Sequence, residues 1–144
     1  MTKPVSVQTP EAAMRLWLNE TSRVFHDRLI NTEDREWFHE TTHDLVNNSF
    51  RIKLEKEEIT GDNRPKWSDI LKLDAPVRLY EEVTNIDKLN KTLVNMLEDY
   101  NISNSNKMNL VFFDDCIEHV LRIIRVLRQP RGNAMLIGLG GSRK

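Results

Sequence analysis

A single cysteine, Cys116, leaves the 144-residue chain without an internal disulfide framework and is compatible with a reducing interior. No apolar run approaches about 18 residues, so no membrane-spanning helix is expected. The opening residues, MTKPVSVQTPEAA, lack the basic-then-apolar layout of a signal peptide. A net charge of -1 gives no global reason to expect nucleic acid or an anionic membrane as partner. Internal repeats and low-complexity tracts are missing as well. Acidic residues run out after Glu118, whereas Arg122, Arg125, Arg128, Arg131, Arg143 and Lys144 follow. A basic tail beside glycines favours anions. Against that, Glu118, Arg122, Arg125 and Gln129 fall on one stripe of a helix, which reads as a solvated face with Glu118 one turn before Arg122.

With 39% hydrophobic and 30% charged residues, the chain reads as one polar folded domain, or two sub-domain pieces, around a modest core. Thr9-Pro10 is a helix start, with Thr9 as N-cap and Pro10 at the first helical position. Met14, Trp17, Leu18, Phe25 and Leu29 then keep one face apolar, predicting a first helix to about Ile30. Asn31, with Asp34 three residues on, starts a second helix through Trp37, Phe38, Leu45 and Val46 that ends near Asn47-Asn48. Residues 51–82 are irregular: EKEEITGDNRP reads as an exposed loop or insertion, KWSDILKL is too short to assign, and Pro76 forbids a continuous helix. Thr84 is the expected cap of a third helix carrying Ile86, Leu89, Leu93, Met96, Leu97 and Tyr100. NISNSNK is a polar turn and MNLVFF a short extended apolar run. A fourth helix spans Asp114 to Leu127, its apolar face made by Ile117, Val120, Leu121, Ile124 and Leu127, and Pro130 and Gly132 stop it. NAMLIG reads as a strand, which needs sheet partners that this sequence does not supply.

Two motifs could carry chemistry. HETTH places His39 and His43 one helical turn apart, with Glu40 between them as a general base, the layout of a zinc hydrolase. A third ligand is wanting: the one later histidine is His119, and Glu57 and Glu58 fall in the irregular region. A solvated polar helix face is the plainer reading, with no metal. The second motif is MLIGLGGSRK. A strand followed by G-x-x-x-x-G-K-[ST] cradles phosphates with inward amides and a following helix N-terminus. Gly138 opens that loop and Lys144 takes the lysine position, but Arg143 replaces the final glycine, where a Cβ has no room.

Longer words bear on these motifs. RLWLNETSRVFHDRLINTEDREWF, Arg15 to Phe38, resembles the R-L-W-x-x-E-x-x-R-V-F-x-D-R-L stretch of dynein heavy chains, axonemal type. YEEVTNIDKL, LEDYN and MNLVFFDDCIEHVLRIIRVLRQPRGNAMLIGLGGS are similar to the same family's run into its fourth AAA+ module. The resemblance implies a mainly α fold: amphipathic helices of an AAA+ lid, plus the first helix and first strand of an incomplete α/β P-loop subdomain. Residues 1–82 would belong to the lid of the third module, with 51–82 irregular. Residues 83–144 would be a linking helix and the start of the fourth module, stopping at the phosphate loop.

The same resemblance assigns nucleotide-site positions. Leu110 and Val111 would border the base; Gly138, Gly140, Gly141 and Ser142 match the G-x-G-G-S loop, and Lys144 the phosphate lysine. Arg143 departs from the family's glycine, and WSDI is at best a remnant of the family's F-G-D-F word. The intact family is an ATPase motor using ATP or ADP with magnesium. The helix after the loop, Walker B and the magnesium-holding hydroxyl have no counterpart in these 144 residues, so no tight nucleotide binding and no catalytic residue are expected here. Implied partners are neighbouring AAA+ modules of a dynein ring, with dynein subunits and microtubules reached through the full-length protein. Neither nucleic acid nor membrane is implied; the setting is cytoplasm and cytoskeleton, in a ciliary axoneme. The alternatives are a stand-alone helical interaction module presenting Trp17, Trp37 or Leu121, and the zinc hydrolase.

Overall fold

The computed structural model describes residues 6–59 and 64–138. Helix α1 (Pro10–Val24) starts as its capping chemistry dictates: Thr9 is extended and its Oγ1 accepts from the Ala12 amide at 3.2 Å. Met14, Leu18 and Ser22, four residues apart, are buried. The helix ends at Val24 rather than near Ile30. Phe25 leaves the apolar stripe for solvent, His26–Arg28 tighten into one 3-10 turn, and Leu29 turns extended, which breaks the helix.

Helix α2 (Thr32–Asp44) follows, with Asn31 extended before it. The Asn31 amide reaches Asp34 Oδ2 at 3.3 Å and caps no backbone group. A wider π turn, Leu45–Ser49, carries Val46 into the interior, and Arg51 (φ 56°) redirects the chain. Asn47 fastens this bend: its Oδ1 accepts from the Leu54 amide at 3.1 Å while its Nδ2 donates to the His43 carbonyl. Met14, Leu18, Val46, Leu54 and Ile59 then form one hydrophobic nucleus, with Trp17 and Ile52 packed on it.

The irregular stretch is more buried than its composition suggests. Leu54 and Ile59 belong to the first nucleus, and α3 (Lys56–Ile59) is a single turn. Trp67, Ser68, Asp69 and Ile70 are all buried, so the unassigned KWSDILKL contributes a core run. Strand β1 (Trp67–Ser68) pairs antiparallel with β2 (Glu81–Glu82), Trp67 opposite Glu82 and Ser68 opposite Glu81. The Val83 amide donates to the Lys66 carbonyl at 2.7 Å, and the Ser6 amide to the Tyr80 carbonyl at 3.1 Å.

Helix α4 (Ile86–Ser103) is capped by Asn85, one residue after Thr84, because Asn85 Oδ1 accepts from the Lys88 amide at 2.8 Å. Only its first half packs: Leu89 and Leu93 are buried, whereas Met96 and Tyr100 are exposed. Helix α5 (Asp114–Leu127) has the bounds expected from its periodicity. Ile70, Val83, Leu89, Leu93, Ile117 and Leu121 form a second nucleus, with Phe112, Val120 and Ile124 against it. Leu127, expected on the apolar face, is exposed because the helix has passed the core there.

After α5 the chain turns through Arg131 (φ 61°) into Gly132, where a Cβ would lie 1.8 Å from the Val126 carbonyl oxygen. Only glycine permits that approach. Among the described residues NAMLIG forms no ladder: Met135, Leu136 and Ile137 run unpaired and exposed. A strand needs a neighbour to satisfy its amides and carbonyls, and no described segment lies beside this one. Among the described residues no helix is long and apolar enough to cross a membrane.

Candidate functional site

The most elaborate side-chain chemistry lies where α1 meets α5, around a shallow pocket whose walls include Asn19, Arg64, Tyr80, Glu118 and Arg122. Arg125 takes both carboxylate oxygens of Glu20, 105 residues earlier: its Nε donates to Oε2 at 2.9 Å and Oε1 at 3.2 Å, and its Nη2 also donates to Oε2. Tyr80 Oη donates to Glu20 Oε1 at 2.9 Å, and Asn19 Nδ2 bonds both Glu20 and Tyr80. Burial alone would raise the Glu20 pKa. The Arg125 hydrogen bonds and charge, with Tyr80 and Asn19, outweigh it and hold the carboxyl below its ordinary range. Burial, then the Glu20 charge, push the Tyr80 phenol well up, so it remains a neutral donor.

Glu118 anchors the other side. Arg64 Nη2 donates to both its oxygens, at 3.0 and 3.3 Å, and Lys66 and Arg122 lie at 3.5 and 3.2 Å. Here too desolvation opposes ionisation and the cations prevail, with the carboxyl depressed. Arg122 also meets Asp27 at 3.6 Å, and Arg23 meets Asp27 at 3.2 Å. The helix stripe Glu118, Arg122, Arg125 is therefore not a solvated face. Its Glu118–Arg122 pair forms as expected, but each member also ties α5 to another part of the chain.

HETTH lands on α2, and its two imidazoles are differently occupied. The His39 ring packs on His26, centroids 4.6 Å apart, and on Phe38 at 5.8 Å. Burial first, then the charges of His26, Arg64 and Lys56, lower its pKa to about 4. His43 Nδ1 sits 3.7 Å from Asp44, and Glu40 faces Lys56 at 3.9 Å. Glu58 pairs with Arg15 at 3.1 Å and Glu57 is exposed. Among the described residues no three His, Cys, Asp or Glu side chains converge as a metal shell.

The positions assigned to a nucleotide are only partly visible. Leu110 and Val111 lie in the extended segment before α5, 48% and 81% exposed. Gly138 is exposed at the end of the unpaired apolar run. Gly140, Gly141, Ser142, Arg143 and Lys144 lie outside the described residues. The order along the chain is that of a phosphate-loop domain's opening: extended segment, amphipathic helix, apolar run, glycines.

Comparison with known proteins agrees with that order. Residues 2–59 match the AAA+ lid domain, and residues 108–144 match the P-loop containing dynein motor region D4. The human dynein axonemal heavy chain 6 is 41% identical over 144 residues, covering 98% of this chain. The chain belongs to the dynein heavy-chain family. Mouse dynein axonemal heavy chain 1 is 37% identical over 99% of the chain, and human dynein axonemal heavy chain 3 is 36% identical over 94%. The chain spans only 3–4% of the length of these heavy chains. In dynein terms, α1 and α2 fall in the lid match and α5 in the D4 match, so the Glu20–Arg125 contact joins the two matched regions.

The polar junction escaped sequence reasoning. HETTH and the glycines carry spacing signatures; a pair 105 residues apart carries none. The one available signal was polar Asn19 and Ser22 on the inward side of α1, both buried, where a plain amphipathic helix would bury only apolar groups.

Proposed function

We propose that this chain serves as the junction between the lid of the third AAA+ module and the opening of the fourth in an ATP-driven, microtubule-based motor, and that it is non-catalytic by itself. The observation that carries this reading is the ordered pair of matches, lid then D4, along one continuous chain. Residues 1–82 would be lid-like and 83–144 the linking helix and module start. The packing is consistent with such a junction, since Glu20 in the lid match holds Arg125 in the D4 match. Extended apolar segments at Met108–Phe113 and Met135–Ile137 flank α5 without a strand partner among the described residues, as strands of a sheet completed by further chain would.

In that setting Leu110 and Val111 border a nucleotide base, and Gly138, Gly140, Gly141, Ser142 and Lys144 contact its phosphates, with ATP or ADP and magnesium in the intact motor. Neighbouring modules of the ring are the direct partners. Dynein subunits and microtubules are reached through the full-length protein, in the cytoskeleton of a ciliary axoneme. Hydrolysis requires a positioned magnesium ion and a residue that orients water, so the chain alone turns over no ATP.

Calorimetric titration tests this. The 144-residue chain is expected to give no saturable heat with magnesium-ATP at millimolar ligand. A chimera continuing from Lys144 into the next residues of human heavy chain 6 is expected to gain binding, and Lys144→Ala to abolish that gain. A chimera as silent as the parent would remove the nucleotide role from residues 138–144.

A further inference from the structure

Two asparagines in the chain make the same reciprocal contact. Asn47, in the π turn after α2, accepts from the Leu54 amide at 3.1 Å and donates to the Leu54 carbonyl at 3.4 Å. Asn101, in the last turn of α4, accepts from the Met108 amide at 2.7 Å and donates to the Met108 carbonyl at 2.8 Å. A side-chain amide carries both an acceptor and a donor. It can therefore meet both main-chain groups of one residue and act as a one-residue strand partner. The neighbouring Ser103 and Asn104 side chains instead donate backward, to the Asp99 and Tyr100 carbonyls, and satisfy the open end of the helix.

The two clamps differ in what they hold. Leu54 is buried in the first nucleus, so the Asn47 clamp serves packing. Met108 is 39% exposed and lies outside both nuclei. What the Asn101 clamp fixes is the path of the chain into α5. Side chains alternate along an extended segment, which puts Met108, Leu110 and Phe112 on one face. Phe112 packs against the second nucleus and Leu110 is 48% exposed, whereas Val111 and Phe113 on the other face are 81% and 61% exposed. The segment is thus held at Met108 by Asn101 and at Phe112 by the core, with Leu110 and Val111 between the two anchors. We infer that Asn101 is a positioning residue for a nucleotide base: by clamping Met108 it sets which way Leu110 and Val111 face. That role rests on Leu110 and Val111 bordering the base, as proposed above. It makes base contact depend on α4, an element outside the D4 match.

Two variants separate positioning from packing. In the 144-residue chain, Asn101→Leu should speed exchange of the Met108 amide about tenfold and leave the unfolding temperature in place, because no core residue is disturbed. Asn47→Leu should do the reverse, lowering the unfolding temperature and sparing the Met108 amide. Base contact is then read in the chimera extended with residues of human heavy chain 6, with magnesium-ATP against magnesium tripolyphosphate, which offers phosphates and no base. Asn101→Leu should weaken ATP binding about tenfold and leave tripolyphosphate unchanged, a split that general loss of structure would not produce. Asn47→Leu should leave the ratio of the two affinities unchanged. Unaltered Met108 exchange, unaltered ATP affinity, or an equal loss for both ligands in Asn101→Leu would overturn the positioning role while the nucleotide site itself stood. A parent chimera that binds ATP no better than tripolyphosphate, or binds neither, would remove the base contact and the role of Asn101 with it.

Discussion

Arg125 joins segments with no local sequence relation, and its pairing with Glu20 sits between the exposed and buried extremes, at 19% and 35% side-chain exposure. Exposed pairs contribute little, while charged hydrogen bonds in partial shelter are stronger. Arg125→Gln is therefore expected to destabilise the fold by about 1–2 kcal/mol. A double-mutant cycle with Glu20→Gln, read by urea unfolding, should return a favourable coupling; additive single effects would show the contact to be idle. His39 sets a pH dependence of its own. Its folded pKa of about 4 lies below the ordinary 6.5, so the unfolded chain takes the proton first. Stability is full above pH 6.5, declines as pH falls toward about 4, and below that receives no further loss from His39. The depressed carboxyls of Glu20 and Glu118 act lower: their contribution is present above 4.5 and lost as pH falls through their folded values. His39→Gln should lessen the slope of the stability profile between pH 6.5 and 4.5, leaving the share of His26, whose pKa burial also lowers, and the more acidic limb intact. An unchanged slope would assign that window to another group.

Among the elements, legibility tracked how local the stabilising interactions are. Helix α5 was readable to the residue because its apolar repeat, the acids at its start and Pro130 after its end all lie within or beside it. Helix α1 was readable at its cap and misjudged at its end, since Phe25 and Leu29 continue the spacing although the chain has already turned. Strands β1 and β2 are two residues each, too short to show any period, so the buried run Trp67 to Ile70 could not be assigned from sequence. The terminal apolar run has a strand's composition and stays without a ladder, as expected of a strand whose sheet partners these residues do not supply. The end of α5 offers a direct check on local geometry. Gly132→Ala would drive a methyl group into the Val126 carbonyl, with an expected cost of about 1–3 kcal/mol. Hydrogen exchange should show the Arg128 and Gln129 amides, bonded to Ile124 and Val126, losing protection before the middle of the helix. Uniform protection along α5 would mean that the turn yields without strain.

The whole molecule is organised around two hydrophobic nuclei, one built on α1 and the Val46 bend, the other on Ile70, α4 and α5. Ion pairs and the Tyr80 hydroxyl span the space between them, so apolar packing shapes each nucleus and polar contacts hold the two together. The family could be read from the sequence because its words are contiguous. The junction could not, because its partners come from residues near 20, 64, 80 and 120. That dispersion also shapes the order of folding events. Bringing Glu20 to Arg125 closes 105 residues of chain, an entropic cost of about 4 kcal/mol before constant terms. Contacts of such separation form after the local helices and nuclei, on the native side of the main barrier. Arg125→Gln should therefore quicken unfolding by about tenfold while scarcely altering the folding limb of a chevron plot. A slowed folding limb would place the salt bridge inside the nucleus. On the kinetics expected here, Glu20–Arg125 acts as a latch: it governs how long the assembled chain stays closed, not how quickly it first closes.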